Sequence, residues 1–284
     1  GLNFDFEKDA IQTYIDGDWL KAKGTTLGAD DGIGVAMQMA ILADDTIQHG
    51  PLECLFTVCE EEGLNGAMGL EAGFMKADYL INLDSEDEGL IFVSCAGGAN
   101  TKATFNVDLE DTPANQFFFK IQISGLTGGH SGDDIEKKRA NANKLLARLL
   151  EAFKKYDIRI ADIQSGGLHN AIPRDGYAVA CVPTQFKENL RVDFNVMTAE
   201  FEEEFSATEQ NMRFKLESTQ PTAKVIDKTS GNNLITALVS VPNGVLAMDQ
   251  NIPDFVETSS NLASIHCEGD HVTITTSQRS SVAS

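Results

Sequence analysis

The sequence predicts an α/β fold, with a mostly parallel sheet in residues 1–96 and an α+β domain after them. In the first region, short apolar segments such as 55–58 and 79–83 alternate with glycine-rich turns and helical segments, which is typical of parallel sheets. After residues 96–99 the predicted strands lengthen and alternate apolar with polar side chains. The 284 residues include 42% hydrophobic residues and 24 glycines, which suits one large or two ordinary domains.

The first region begins with an irregular acidic segment and a glycine-rich turn over 24–34. The elements predicted after this turn are a buried helix over 35–42, a strand over 52–58, a short helix over 66–72, and strands over 79–84 and 90–95. Carboxylates follow the turn and two of the strands. Open parallel sheets bind ligands at the edge where strands end, so we expect these carboxylates to meet there.

The second region combines longer strands with an amphipathic helix. An apolar stripe of four leucines runs along a helix predicted over 137–155. The other predicted elements are strands over 117–123, 177–182, 213–217 and 271–275 and helical segments over 199–210 and 232–239. We interpret this region as two βαβ-like units.

The chain carries 43 acidic and 22 basic residues, a formal net charge of −21. This balance argues against nucleic acid or an anionic membrane as a partner and is compatible with metal ions, although a solvated acidic surface explains most of it. The five cysteines are scattered, with no C-x-x-C pair, so we expect no disulfide framework and a reducing cytoplasm. The apolar runs are too short to predict a membrane span.

Three consecutive carboxylates, Glu60, Glu61 and Glu62, follow the strand predicted over 52–58. Adjacent carboxylates raise one another's pKa unless a positive charge neutralises them, and no lysine or arginine occurs in residues 51–75. A divalent cation with a general base beside it would relieve this repulsion. The alternative is an acidic strand end that faces water.

Asp30 and Asp84 are two further candidate metal ligands. Asp30 lies in G-A-D-D-G-I-G before a predicted helix, where the alternative role is the helix N-cap. The same loop lacks the G-x-G-x-x-G order and the lysine of a nucleotide site. Asp84 ends an apolar segment, where the alternative is a solvated acidic turn. With the glutamates they form an all-oxygen set that hard cations accept, and that zinc accepts when imidazoles complete it.

Two later segments carry groups suited to substrate binding. His130 lies in G-G-H-S-G, where the flanking glycines let it project and stabilise an oxyanion. In H-N-A-I-P-R, Asn170 could donate to an oxyanion and Arg174 could hold a carboxylate. The alternatives are an incidental histidine and ordinary turn chemistry.

Five motifs, in this order, resemble those of the aminoacyl-histidine dipeptidases, carnosinase-like members of the dizinc aminoacylase and carboxypeptidase superfamily. The motifs are G-T-T-L-G-A-D-D-G-I-G, C-E-E-E-G, I-N-L-D-S-E, G-G-H-S-G and H-N-A-I-P-R. The resemblance covers essentially the whole chain. It implies a partial catalytic domain over 1–96 and an inserted α+β lid or dimerisation domain over 97–284, incomplete at its C-terminal end.

The resemblance implies a role for each candidate residue. Asp30 is expected to bridge two divalent ions, zinc in the first instance with cobalt or manganese as alternatives, and to form a cis peptide bond with Asp31. Glu61 and Asp84 are expected to bind the metals terminally, and Glu60 to act as general base. The residues expected in the lid are His130, which would polarise the scissile carbonyl, and the substrate-binding Asn170, Arg174 and Arg279.

Two histidine ligands of the family have no counterpart that we can assign. The family has a His-x-Asp motif upstream of the position of Asp30, whereas residues 1–29 contain no histidine. We assign neither His266 nor His271 as the final metal ligand, because both lie in lid-like sequence. The chain starts without Met and ends in a helix-like opening, so we expect part of a longer protein, with weak metal binding and no activity alone.

The predicted function is metal-dependent hydrolysis of dipeptides of the Xaa-His type by a metal-activated water, with Glu60 as general base. The expected setting is a cytoplasmic homodimer, paired through the lid, that acts on small peptides. One alternative is a related amidohydrolase, such as an aminoacylase or a tripeptidase. The other is a non-catalytic homologue that acts only in association.

Overall fold

A computed structural model describes residues 4–60, 63–85 and 89–283. The chain divides into two compact units, Gly1–Phe92 and Val93–Ser284, which we call the first and second units. None of the described helices is both long enough and apolar enough to cross a bilayer. The mixed α/β class predicted from the sequence is confirmed.

The first unit contains a hairpin and two helices within its described residues. Its elements are β1 (Thr13–Asp16), β2 (Trp19–Ala22), α1 (Gly32–Ala43) and α2 (Asn65–Met68). The strands β1 and β2 pair antiparallel. Helix α1 forms where a helix was predicted, but the prediction that it is buried was wrong, since Gly34 is its one buried residue. Its apolar side chains lie on every face, and the described elements of this unit do not cover them.

The strands predicted over 52–58, 79–84 and 90–95 are absent from the described residues. These segments are apolar, but a strand also needs a neighbour that accepts and donates its backbone hydrogen bonds. No described segment pairs with them, and Tyr79 and Ile91 are each 89% exposed. The expected parallel sheet is therefore not observed in this part of the chain.

An eight-stranded antiparallel sheet dominates the second unit. Its order is β3-β12-β11-β6-β7-β5-β8, and β10 also pairs with β11. The strands are β3 (Gly97–Asn106), β5 (Gln116–Ser124), β6 (Arg159–Gly166), β7 (Gly176–Pro183), β8 (Arg213–Ser218), β10 (Gly244–Met248), β11 (Val256–Glu268) and β12 (His271–Ser280). A separate pair joins β4 (Leu109–Asp111) to β9 (Lys224–Ile226). The strands predicted over 117–123, 177–182, 213–217 and 271–275 fall within β5, β7, β8 and β12.

Three helices accompany the sheet: α3 (Ala142–Phe153), α4 (Lys187–Glu204) and α5 (Lys228–Ser240). The predicted leucine stripe is on α3, and all four leucines are at most 1% exposed. They pack in one core with Phe119, Ile121 and Ile123 of β5. Helix α3 is shorter than predicted because Asn141 caps it, accepting hydrogen bonds from the N–H groups of Asn143 and Lys144.

Strand β11 changes partners near its middle. Its first half pairs with β10 up to Ser260, and its second half pairs with β6 from Ser264 onward. The register against β12 also shifts between Leu262 and Ser264, which marks a β-bulge at Ala263. Residues 261–263 thus lie at a branch point of the sheet, next to the loops that carry the candidate lid residues.

Candidate active site

Three carboxylates of the first unit converge. Asp30, Asp31 and Asp84 each offer an oxygen, and these oxygens all lie within 4.8 Å of one another. Asp30 and Asp84 are two of the predicted metal ligands, and the structure brings them together. The predicted cis peptide bond between Asp30 and Asp31 is present.

The helix N-cap is Asp31 rather than Asp30. The Asp31 carboxylate accepts a hydrogen bond of 3.0 Å from the backbone N–H of Gly34, which places this side chain at the start of α1. The alternative role considered for Asp30 is therefore filled by its neighbour. Asp30 is left exposed beside Asp84.

The electrostatics of this cluster are unfavourable without a cation. Burial raises the pKa of the Asp84 carboxyl, and the charges of Asp30, Asp31 and Glu60 together with a hydrogen bond to Asp30 raise it further. The influence of Glu60 places the predicted general base near the cluster. A divalent cation would remove this repulsion, so the donor set fits a metal ion.

The glutamate run is only partly described. Glu60 is exposed, and its carbonyl accepts hydrogen bonds from the N–H groups of Gly63 and Leu64 at 3.0 and 2.8 Å. Cys59, which precedes Glu60, has a left-handed backbone with a φ of 53°. Glu61, the predicted terminal ligand, lies outside the described residues.

In the second unit, His130 and Arg279 form a second polar site. The Nη2 atom of Arg279 lies 3.5 Å from Nε2 of His130, and both side chains are half-buried. Asp133 Oδ2 lies 2.8 Å from the other ring nitrogen, Nδ1. An imidazole and a guanidinium side by side can bind an anionic or carbonyl oxygen between them.

The loop that carries Asn170 is bonded directly to the His130 loop. The Ser131 N–H donates to the Asn170 carbonyl at 2.7 Å, and the Ile172 N–H donates to the Gly129 carbonyl at 2.8 Å. His130 and Ala171 form an isolated antiparallel bridge. The structure therefore brings together His130, Asn170 and Arg279, which the sequence placed in three separate segments.

Arg174 supports the same loops from behind. Its Nε donates to the Leu126 carbonyl at 3.3 Å. Its side chain also packs against Gly128, where an added Cβ would come within 2.2 Å of the Arg174 Cγ. These contacts show a structural role for Arg174, and its role in substrate binding stays a prediction.

Asp134 and Arg139 hold the His130 loop, and the sequence reasoning did not identify either of them. Asp134 Oδ2 accepts the His130 N–H at 2.9 Å and pairs with Arg139 Nη1 at 3.1 Å. The same Nη1 donates to the Gly128 carbonyl at 2.6 Å. The signal available in the sequence was the pair of aspartates after G-G-H-S-G, one of which can fold back onto its own loop.

The chain is similar in sequence to a curated dipeptidase and to an uncharacterized protein. It is 41% identical over 271 residues, 95% of its length, to the cytosol non-specific dipeptidase of Escherichia coli strain K12, of which it covers 56%. A shorter stretch of 100 residues is 35% identical to the uncharacterized protein YqjE of Bacillus subtilis strain 168, covering 34% of this chain and 27% of that protein. No protein-family profile matches the chain.

The crystal structure of an aminoacylhistidine dipeptidase from Vibrio alginolyticus is similar along nearly the entire chain. The identity is 41% and the TM-score 0.77, over 99% of this chain and 58% of the other. The resemblance to the aminoacyl-histidine dipeptidases predicted from the motifs is therefore confirmed. The chain spans a little over half the length of the two dipeptidases.

Proposed function

We propose that the protein to which this chain belongs hydrolyses dipeptides in a metal-dependent reaction. The observation that carries the proposal is the cluster of Asp30, Asp31 and Asp84 beside Glu60, in a chain related to two dipeptidases. Carboxylates held this close are stable as anions when a divalent cation neutralises them.

The residues that would hold the metal are Asp30, Asp84 and Glu61. We propose two divalent ions, zinc in the first instance, and Asp30 would serve as a ligand to both. When bound, the ions would polarise the scissile carbonyl and make water a better nucleophile near neutral pH. The all-oxygen donor set suits hard cations, and zinc accepts such a set when imidazoles complete the coordination sphere.

The other proposed roles belong to the side chains themselves. Glu60 would take a proton from the attacking water and pass it to the leaving amine, as an exposed carboxylate can. His130 would donate to the developing oxyanion, with Asn170 as a second donor. Arg279 and Arg174 would hold the substrate carboxylate. The proximity of His130 to Arg279 supports their joint action on one substrate.

We propose dipeptides with a C-terminal histidine as the substrate class, because the solved relative is described as an aminoacylhistidine dipeptidase. The name of the Escherichia coli relative supports a place in the cytosol, and the free cysteines agree with a reducing compartment. Residues 1–96 would be part of the catalytic domain, and 97–284 a lid through which protomers pair.

A zinc titration followed by calorimetry tests the metal site. We expect Asp84→Asn to weaken zinc binding by about tenfold or more, because a ligand charge is lost. Asp78→Asn, which neutralises an exposed aspartate of the same unit, is the matched control and should bind as the parent does. Equal zinc affinity in the parent and Asp84→Asn would refute the metal assignment.

A substrate panel tests the specificity in the longest available form of the protein, loaded with zinc. β-Alanyl-histidine, an N-acetylated amino acid and a tripeptide would be compared by release of free amino acid. We expect cleavage of the dipeptide alone. Preference for the acylated amino acid or the tripeptide would instead assign an aminoacylase or a tripeptidase.

A further inference from the structure

The branch point of β11 leaves backbone groups that no strand can pair. At Leu262 the β10 pairing has ended and the β6 pairing has not begun. The Leu262 N–H donates to Asn243 Oδ1 at 2.9 Å. Its carbonyl accepts from Nδ2 of Asn143 at 2.8 Å and of Asn141 at 3.1 Å. Asparagine side chains thus replace a missing strand, as buried backbone groups require.

Asn261 extends this asparagine network toward the candidate substrate site. It is 1% exposed. Its Nδ2 donates to the Ala171 carbonyl at 2.8 Å, and its Oδ1 accepts from Asn141 Nδ2 at 3.3 Å. Both ends of the amide are therefore used, one on the sheet side and one on the Asn170 loop.

The Ala171 carbonyl lies where the Asn170 loop is bonded to the His130 loop. Ala171 bridges His130, and its neighbour Asn170 accepts the Ser131 N–H through its carbonyl. In β11, Ser259 lies two residues before Asn261 and is the register partner of Arg279. The Asn261 amide thus links the Asn170 loop, which is bonded to the His130 loop, to the strand pair that bears Arg279.

The Asn170 loop is not closely packed where it faces the asparagine network. A cavity of about 500 Å³ adjoins the network and is lined by Ile172, Asn243 and Asn261, among others. A loop beside a cavity lacks the close contacts that define a position in a protein core. The directional hydrogen bond from Asn261 is therefore one of the contacts that define the position of the loop on this side.

We propose that Asn261 is a positioning residue, which fixes Asn170 and His130 relative to Arg279 through the Ala171 carbonyl. The inference rests on the proposed function, because it assumes that these three residues act on one substrate. An aspartate at 261 would have the same shape but would turn an oxygen toward the Ala171 carbonyl in place of the N–H donor. Asn261→Asp is therefore the most informative variant.

Amide hydrogen exchange measured by nuclear magnetic resonance tests the positioning without reference to catalysis. We expect the Ser131 and Ile172 amides to exchange about tenfold faster in Asn261→Asp, while amides of the β5–β7 ladder keep their rates. Asn100→Asp, at an exposed position of β3 in the same sheet, is the matched control and should change neither set. Unchanged exchange at Ser131 and Ile172 would overturn the proposal, as would a uniform increase in all amides.

Asn261→Ala is a second test, in case the added charge of Asn261→Asp prevents folding. It removes the donor without adding an anion, next to a cavity that tolerates the smaller side chain. The same local increase in exchange is expected. If Asn261→Ala exchanges as the parent does, the proposal is refuted.

Kinetics with the longest available form of the protein, loaded with zinc, and β-alanyl-histidine separate the two proposals. With the proposed function correct, Asn261→Asp should lower kcat about tenfold or more with a smaller change in KM, because misplaced oxyanion donors act in the transition state. An active variant with parental kcat would contradict the positioning role. If the parent cleaves no peptide, the proposed function fails, and the exchange experiment still decides whether Asn261 positions the loops.

Discussion

At the scale of single residues, each candidate group depends on a neighbour that does no chemistry itself. Asp31 caps α1 and leaves Asp30 beside Asp84. Asp134 folds back onto the N–H of His130, and Arg139 closes the loop at the Gly128 carbonyl. Supporting residues of this kind limit the freedom of the candidate groups, and a fixed geometry is a precondition for efficient catalysis.

Asp134→Asn should destabilise the second unit at neutral pH. The hydrogen bond from Lys137, followed by that of the His130 N–H and by the positive charge of Arg139, lowers the pKa of the Asp134 carboxyl despite partial burial. The variant keeps the shape and loses the charge, so we expect a loss of roughly 1–2 kcal/mol in unfolding free energy. Urea titration at pH 7 measures it, with Asp108→Asn, an exposed aspartate of the same unit, as control.

The pH dependence of this difference has a definite sign. A carboxyl with a lowered pKa in the folded state stabilises above its unfolded pKa of about 3.9, and this contribution is lost as the pH falls through the folded value. The gap between parent and Asp134→Asn should therefore be constant above about pH 5 and shrink below pH 4. A gap that widens with acid would show that the pKa of Asp134 is not lowered.

At the scale of elements, the β11 bulge restricts which residues can occupy the neighbouring strand β6. Gly166, at the end of β6, has a φ of 72°, and an added Cβ would lie 2.0 Å from the Ala263 carbonyl oxygen. Both its conformation and the close approach of β11 require glycine here. The close approach of the bulge thus depends on glycine at position 166.

Gly166→Ala should cost at least about 2 kcal/mol of unfolding free energy, from left-handed strain and the clash with the backbone of β11. Gly167→Ala is an unusually close control, since an added Cβ at Gly167 meets nothing within 4 Å. That variant should change stability by less than about 0.5 kcal/mol. Chemical denaturation of both proteins makes the comparison, and equal losses would contradict the account of the bulge.

The sequence predicted helices and strands correctly where their apolar periodicity coincides with a buried face in the structure. The leucine stripe of α3 and the alternating pattern of β5 have their partners in the second unit, so local pattern and tertiary packing agree. Segments 52–58 and 79–84 have strand-like composition, but composition does not supply a ladder partner. Strand β11 was missed because its serines, threonine and asparagine at 258–261 look like a loop until β12 pairs with them.

In the candidate site, too, some features could be predicted from the sequence and others could not. Asp30 and Asp84 were predicted to meet at the edge of a parallel sheet. The structure brings their carboxylates together, although the described residues of the first unit form no such sheet. Asn261 could not be predicted, because its role depends on a bulge and on two loops distant in sequence. A positioning residue is defined by its contacts in the tertiary structure, and the hydrophobic periodicity of the sequence carries no information about these contacts.

At the scale of the whole molecule, the two units differ in how much apolar surface they bury. Among the residues that the structure describes, the buried hydrophobic ones all belong to the second unit, while the exposed large ones include many of the first, such as Ile15, Trp19, Met68 and Ile81. Burial of apolar area is the main stabilising contribution to folding. The described part of the first unit should therefore open more readily than the second.

Limited proteolysis with thermolysin, which cleaves beside apolar residues, tests this asymmetry. We expect early cuts around 79–81 and at Ile91, where side chains are exposed and no ladder protects the backbone in the described residues. A resistant product should contain β5, α3 and β7. Early cleavage within β5 or α3 would contradict the expected order of opening.

The exposed aliphatic side chains of the first unit also bear on the colloidal behaviour of the protein. Apolar patches draw copies together, whereas a net charge of −21 keeps them apart. Added salt screens that repulsion over distances of about 10 Å at 0.1 M, and acid removes it by protonating carboxylates. Ionic strength is thus a second stability variable for this chain, and variants are comparable only when it is held constant.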